Sequence, residues 1–166
     1  NYFIPEWDDL VDPDYDFLTD THSGGTGCWE NEVYAHEKAL YPKPNYDGLL
    51  MSRAVAEKSK AKKERINSMG VHKMLRVPKS FPVMGDCGAF DYIMEDVPPY
   101  STEDVIDYYS RLDFDLGVSV DHLIVNATMD QKKERYALTI DNAHDFITKH
   151  RTEKLNWRPI GAVQGW

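Results

Sequence analysis

The chain has little cysteine and no long apolar run. Its 166 residues include two cysteines, Cys28 and Cys87, which form neither a zinc-ligand spacing nor a disulfide framework. Apolar residues make up 42% of the chain, but no run of 18 occurs, so no membrane-spanning helix is predicted. Residues 1–10 carry three acidic residues and no basic n-region, so no signal peptide is predicted. These absences predict a cytoplasmic protein.

Positive charge is also scarce. The net charge is −9, whereas nucleic-acid-binding proteins usually carry a basic patch. The basic residues that are present form two clusters: Lys58, Lys60, Lys62, Lys63 and Arg65, and then Lys132, Lys133 and Arg135. For both clusters the favoured interpretation is a solvated helix face.

Three apolar segments each end at a polar residue. Residues 81–85 precede Asp86, residues 116–120 precede Asp121, and residues 159–163 precede Gln164. The three polar residues are 35 and 43 positions apart, which is about one β-α unit each. Parallel strands place their C-terminal ends at one edge, where α/β proteins carry out their chemistry. We therefore expect Asp86, Asp121 and Gln164 to converge on one pocket.

Helix signals fill the gaps between these segments. Ser101 with Asp104, and Thr128 with Gln131, form capping boxes that each open a helix. Residues 53–69 predict a further helix, capped by Ser52 and ended by Gly70, after a first strand at residues 46–51. The helix that begins after Thr128 is expected to place one apolar set on a single face: Tyr136, Ala137, Ile140, Ala143 and Ile147.

This β-α order predicts an α/β fold. Four parallel strands are too few for a closed barrel, since eight strands with their helices need about 250 residues. We interpret residues 46–166 as the first four strands of an incomplete (β/α)8 TIM-type barrel. Residues 1–45 are interpreted as an N-terminal extension packed on it. The alternative is a small open α/β sheet that is complete as it stands.

The N-terminal 45 residues contain no recognised ligand motif. The glycine-rich residues 23–27 match neither a phosphate loop nor a dinucleotide fingerprint, and a flexible turn is expected there. The acidic residues between Asp8 and Asp16 lack the glycine and the closing glutamate of the known calcium loop. The six histidines form no ligand-spaced pair, so no metal site is predicted in this chain.

Three short motifs resemble those of a known family. Residues 85–90 (Gly-Asp-Cys-Gly-Ala-Phe), 119–122 (Ser-Val-Asp-His) and 162–165 (Ala-Val-Gln-Gly) resemble, in order and spacing, three signatures of the tRNA-guanine transglycosylases. Residues 3–13 resemble the start of the DpdA-type branch, which inserts 7-deazaguanines into DNA. The resemblance covers nearly the whole chain.

The resemblance implies a reaction and a role for each motif residue. A guanine is exchanged for a 7-deazaguanine such as preQ0 through a covalent glycosyl-enzyme, without cutting the backbone. Asp86 resembles the aspartate that handles protons near the nucleophile, and Asp121 resembles the acceptor for the guanine N1–H and 2-amino group. Gln164 and the Gly165 N–H resemble the donors to O6. Gly88 and Phe90, in the first motif, complete the predicted substrate site.

Departures from the tRNA enzymes favour the DNA branch. Cys87 and Asp91 replace residues common after the first aspartate, and Trp166 replaces a second glycine after Gln164-Gly165. The resemblance places the nucleophilic aspartate and a Cys/His zinc site beyond Trp166. We therefore expect no cofactor within this chain, zinc in a later segment, and no base exchange by this chain alone. DNA is the expected partner, with tRNA as the alternative.

Other function classes remain open. The chain could be a tRNA-guanine transglycosylase of the queuine or archaeosine type. It could be a glycoside or nucleoside hydrolase in which Asp86 and Asp121 form an acid/base pair. It could also be a non-catalytic subunit that binds a base or a nucleic acid for a partner. Two neighbours of the motif aspartates have structural interpretations: Cys87 as a small buried residue, and His122 as a side chain directed away from the site.

Overall fold

The computed structural model describes residues 1–6, 10–23, 33–34 and 46–165. Its elements are, in chain order, β1 (Phe3–Pro5), β2 (Leu10–Val11), β3 (Val33–Tyr34), β4 (Gly48–Ser52), α1 (Arg53–Lys58), α2 (Lys60–Met69), α3 (Val71–Met74), β5 (Val83–Asp86), α4 (Thr102–Leu112), β6 (Leu116–Val118), α5 (Met129–Glu153) and β7 (Arg158–Ile160). Strands β1, β4, β5, β6 and β7 form a parallel sheet in that order, and β2 pairs with β3 in an antiparallel ribbon. The α/β class and the four predicted strands are confirmed.

The N-terminal segment contributes a strand that the sequence did not predict. Strand β1 lies parallel to β4, with Phe3 opposite Gly48 and Pro5 opposite Leu50. The Glu6 N–H continues the ladder by donating to the Leu50 carbonyl oxygen at 2.8 Å. Three residues ending in proline are too short to show an alternating pattern, which explains why the strand was missed. The boundary at residues 45 and 46, and the barrel itself, remain predictions.

The predicted helix at residues 53–69 is divided at Ser59. Ser52 caps α1 by accepting from the Val55 N–H, and Gly70 ends α2, as predicted. Ser59 has an extended backbone, and its hydroxyl accepts from the Lys62 N–H to open α2. A serine favours this local hydrogen bond over a helical one, so it separates the two helices.

The two capping boxes are confirmed. The Ser101 and Thr128 side chains accept N–H groups at the starts of α4 and α5, and Asp104 and Gln131 return the bond. Helix α5 buries a different face from the predicted one: its buried residues are Arg135, Thr139, Phe146 and His150. Tyr136 and Ile140 are 39% and 37% exposed. In the part of the chain that the structure describes, no helix is both long and apolar enough to cross a membrane.

The core is centred on Tyr109 of α4. Its ring lies against Gly85 of β5 and Gly117 of β6, where any side-chain carbon would overlap the ring. Phe146 and Trp157 pack edge-on or tilted around it, with ring centroids 6.4 and 5.7 Å from that of Tyr109. The two glycines let α4 lie close to the sheet, which brings the Tyr109 hydroxyl to the C-terminal ends of the strands.

Candidate functional site

The side chains predicted to meet at the strand ends lie together. Gln164 Nε2 donates to Asp121 Oδ2 at 2.6 Å, which joins the segments that follow β7 and β6. The Asp121 carboxylate is near enough to Asp86 to raise the pKa of that side chain. Three residues far apart in sequence therefore form one polar cluster, which we call the strand-end cluster. Their roles in binding or catalysis remain predictions.

Hydrogen bonds between neighbouring strand ends fix this cluster. The Tyr109 hydroxyl donates to the Val118 carbonyl oxygen at 3.0 Å, three residues before Asp121. The Ser119 hydroxyl accepts from the Ala162 N–H at 2.9 Å, two residues before Gln164. Each bond ties the segment that leads to a cluster residue to a neighbouring element, so the spacing of the cluster is built into the fold.

Asp86 is held in a buried turn. Its Oδ2 accepts from the Gly88 N–H at 2.8 Å. Gly88 has φ +84°, and a side-chain carbon there would overlap Ser52, so glycine is required. Burial raises the pKa of Asp86, the Gly88 N–H opposes that change, and the Asp121 charge raises it further. A carboxyl with a raised pKa can hold or release a proton closer to neutral pH.

Asp121 is a buried acceptor. Its residue is 8% exposed, and burial raises the pKa of its carboxyl while the hydrogen bond from Gln164 lowers it. The pair places a carboxylate beside an amide N–H. Such a pair can recognise a planar ligand that shows donors next to an acceptor.

A cavity of about 560 Å³ opens beside Asp86, at the C-terminal ends of β1, β4 and β5. Its wall among the described residues consists of Pro5, Glu6, Leu50, Ser52, Val55, Lys58, Asp86, Gly88, Phe90 and Asp91. The volume is typical of a small-molecule site. Asp86, Gly88 and Phe90 therefore share this cavity, whereas Asp121 and Gln164 are not among the residues that line it.

The remaining predicted site residues lie near the surface. Phe90 is 79% exposed at the cavity edge, where its ring is available to a ligand. Gly165 is exposed, and no described atom lies within 4 Å of the position a side-chain carbon would take. Trp166, used above to favour DNA, lies outside the described residues.

Cys87 and His122 have the structural positions expected of them. Cys87 is fully buried, and burial raises the pKa of its thiol to about 12, so it is not a reactive thiolate. His122 is also fully buried, and its Nε2 lies 2.8 Å from the Glu95 carbonyl oxygen. Among the described residues, no group of three or more His, Cys, Asp or Glu could hold a metal ion.

The first basic cluster is largely neutralised by ion pairs. Lys62 is buried and contacts Glu6 at 2.7 Å, and Lys58 pairs with Asp91 at the cavity edge. Lys60 and Lys63 lie 3.9 and 3.8 Å from glutamates of their own helical region. The solvated-face interpretation is therefore wrong for Lys62, which joins α2 to the end of β1.

Sequence reasoning missed three residues that support the site. Tyr109 and Tyr92 were not predicted to contact the site, yet the Tyr92 hydroxyl donates to the Asp121 carbonyl oxygen at 3.0 Å. Arg135 was counted in a solvated cluster although it is 7% exposed. A buried tyrosine near a motif gives little signal in sequence. Arg135, however, lies four residues before Thr139 on one helix face, and that spacing could have indicated a buried polar contact.

The chain is similar to a curated protein over nearly its whole length. No family model matches the chain. The chain is similar to a curated protein of Salmonella montevideo named DNA-guanine transglycosylase, with 33% identity over 183 aligned positions that cover 99% of this chain. The chain spans 43% of that relative's length.

Proposed function

We propose that this chain forms the base-recognition part of a DNA-guanine transglycosylase, which exchanges guanine in DNA for a 7-deazaguanine such as preQ0. The observation that carries the proposal is the hydrogen-bonded Asp121–Gln164 pair beside the half-buried Asp86. The name of the Salmonella relative, which covers the same span, supports the choice of reaction and of DNA.

The pair suits the edge of guanine. Guanine presents two adjacent donors, N1–H and the 2-amino group, and one acceptor, O6. Asp121 would accept from the two donors, and Gln164 with the Gly165 N–H would donate to O6. A bound base would therefore replace the present Gln164–Asp121 hydrogen bond with its own. Phe90, exposed at the cavity edge, offers a face on which the base can stack.

Asp86 would manage protons in the exchange. A carboxylate attacks the sugar C1′, the C1′–N9 bond breaks, and its electron pair leaves with the guanine, which takes up a proton. The incoming 7-deazaguanine loses its N9 proton as it displaces the carboxylate from C1′. Asp86, with its raised pKa, would donate and then accept these protons. We propose that the nucleophilic carboxylate lies in the part of the relative's length that this chain does not span.

The proposal also implies a complete barrel and a DNA substrate for the full-length protein. The five-stranded parallel sheet would be part of a (β/α)8 barrel that the remaining length completes, and a zinc site would belong to that remaining length. The substrate would be double-stranded DNA, whose guanine must leave the base stack to reach the strand-end cluster. This chain alone would then show no base exchange.

The decisive experiment alters the base-reading carboxylate in the full-length protein. Asp121→Asn places a donor where guanine needs an acceptor, and each unsatisfied buried group costs about 1–3 kcal/mol. Exchange of labelled preQ0 into DNA should fall at least tenfold while the melting temperature is maintained. Asp141→Asn, on the exposed side of α5, is the matched control and should exchange normally. Normal exchange by Asp121→Asn would refute the proposed role.

The substrate is tested by competition. The full-length protein receives double-stranded DNA and unmodified tRNA together with labelled preQ0, and label is expected in the DNA. Label found only in the tRNA would assign the protein to the tRNA enzymes instead. Release of guanine into solution without uptake of preQ0 would favour the hydrolase alternative.

A further inference from the structure

Arg135 is a buried arginine whose hydrogen bonds go to backbone carbonyl groups. It lies on α5 and is 7% exposed. Its Nη1 donates to the Leu123 carbonyl oxygen at 3.0 Å, and its Nη2 donates to the Glu95 carbonyl oxygen at 3.1 Å. Burying a guanidinium group is costly, and an apolar side chain would fill the space more cheaply. The rigid planar fork of arginine, however, can hold two loops at a fixed separation.

The two loops are the ones that carry the predicted base site. Leu123 lies in the segment after β6, two residues beyond Asp121. Glu95 lies in the segment after β5, which also contains Phe90. Arg135 therefore bridges the loop of the base-reading carboxylate to the loop of the stacking ring.

His122 reinforces the same bridge. Its Nε2 lies 2.8 Å from the Glu95 carbonyl oxygen, which also accepts from Arg135. Because a carbonyl oxygen can only accept, His122 carries its hydrogen on Nε2. The His122 N–H donates to Thr139 Oγ at 3.0 Å, one turn after Arg135 on α5. The residue next to Asp121 is thus held by both its backbone and its ring.

Tyr92 supplies the last connection. Its ring packs edge-on against His122, with centroids 5.9 Å apart, and its hydroxyl donates to the Asp121 carbonyl oxygen at 3.0 Å. Because Tyr92 is two residues from Phe90, this hydrogen bond links the Phe90 loop directly to the backbone of Asp121.

We propose that Arg135 is a positioning residue for base recognition: with His122 and Tyr92 it locks the Asp121 loop to the Phe90 loop. The lock would fix the position of the carboxylate relative to the ring. This inference rests on the proposed function. Arg135 itself touches neither the base nor the reacting atoms.

The test uses the full-length protein and free guanine as the probe. Arg135→Met removes the fork with little change in length, and its affinity for guanine should fall about 10- to 100-fold, as expected when a binding group is misplaced by about 1 Å. Arg135→Lys, which cannot bridge both carbonyl groups, should lose nearly as much. Millimolar guanidinium should partly restore the affinity of Arg135→Ala, because it can occupy the vacated position.

Two controls separate positioning from general stability. Lys133→Met removes an exposed positive charge from the same helix and should bind guanine normally. Ser110→Ala removes the acceptor of the hydrogen bond from Trp157 Nε1, and this bond lies away from the site. The variant should therefore lower the melting temperature without weakening guanine binding.

The outcomes are distinct. Failure of the unmodified protein to bind guanine and exchange it would refute the proposed function and this inference with it. Normal exchange by the unmodified protein, with equal guanine affinity in Arg135→Met and Lys133→Met, would overturn this inference alone. If Arg135→Met does not fold, Tyr92→Phe decides, because it removes only the hydroxyl on the Asp121 carbonyl. A loss of guanine affinity of about fivefold or more supports the lock, and unchanged affinity overturns it.

Discussion

Replacing Tyr109 by phenylalanine isolates one hydrogen bond at the strand ends. The hydroxyl donates to the Val118 carbonyl oxygen at 3.0 Å and contacts Cys87 Sγ at 3.5 Å. The Tyr109→Phe ring still fills the space beside Gly85 and Gly117, so no cavity forms. The variant leaves the Val118 carbonyl with the weak thiol donor of Cys87, at 3.8 Å, in place of the hydroxyl. A buried acceptor that is poorly satisfied costs about 1–2 kcal/mol.

That loss has a measurable size and a neighbouring control. For a chain of this length it should lower the melting temperature by about 2–8 °C, followed by circular dichroism. Tyr108→Phe is the control, because the Tyr108 hydroxyl is buried and has no hydrogen-bond partner among the described residues. Its removal should be neutral or slightly stabilising. Equal melting temperatures for the two variants would refute the role given to the Tyr109 hydroxyl.

Three further predictions concern the site and its supports. Because burial and a nearby carboxylate raise the pKa of Asp86, the folded state binds its proton more tightly than the unfolded chain, and stability falls as pH rises through the folded pKa. Asp86→Asn should therefore raise the melting temperature at pH 7, and this gain should disappear near pH 4. Asp104→Asn should show the opposite dependence, because hydrogen bonds lower the Asp104 pKa: it should lower the melting temperature at pH 7 and have no effect in acid. Gly85→Ala should cost about 1–3 kcal/mol in urea unfolding through overlap with the tyrosine ring of α4, and a neutral result would contradict that packing. Lys62→Met should lower the free energy of unfolding by about 3–5 kcal/mol, because Glu6 is then buried without this cation. The double variant Glu6→Gln with Lys62→Met should recover most of that loss. A double variant no more stable than Lys62→Met would argue against the pairing.

Local signals predicted the parts of the fold that local chemistry decides. Capping boxes at Ser101 and Thr128 bring donor and acceptor together within four residues, so they could be read from sequence. The end of β5 at Asp86 followed from a short apolar segment, whereas β6 and β7 end at Val118 and Ile160, before the predicted ends at residues 120 and 163. Parallel pairing then placed these ends at one edge of the sheet.

Long-range contacts decided the rest. Strand β1 has three residues and exists because β4 offers it an edge, which no local pattern reveals. Arg135 looks like any surface arginine until the Glu95 and Leu123 carbonyl groups are placed beside it. The buried face of α5 likewise depends on what lies opposite, so an apolar stripe through Tyr136 and Ile140 predicted the wrong side.

The order of strands in the main sheet has a consequence for biosynthesis. Strands β1, β4, β5, β6 and β7 are neighbours in the same sequence in which a ribosome makes them. Each new strand thus finds its partner already present at the growing edge and need not displace an earlier pairing. Domains form during synthesis from the N-terminal side, so nascent chains should acquire protease resistance in steps, one β-α unit at a time.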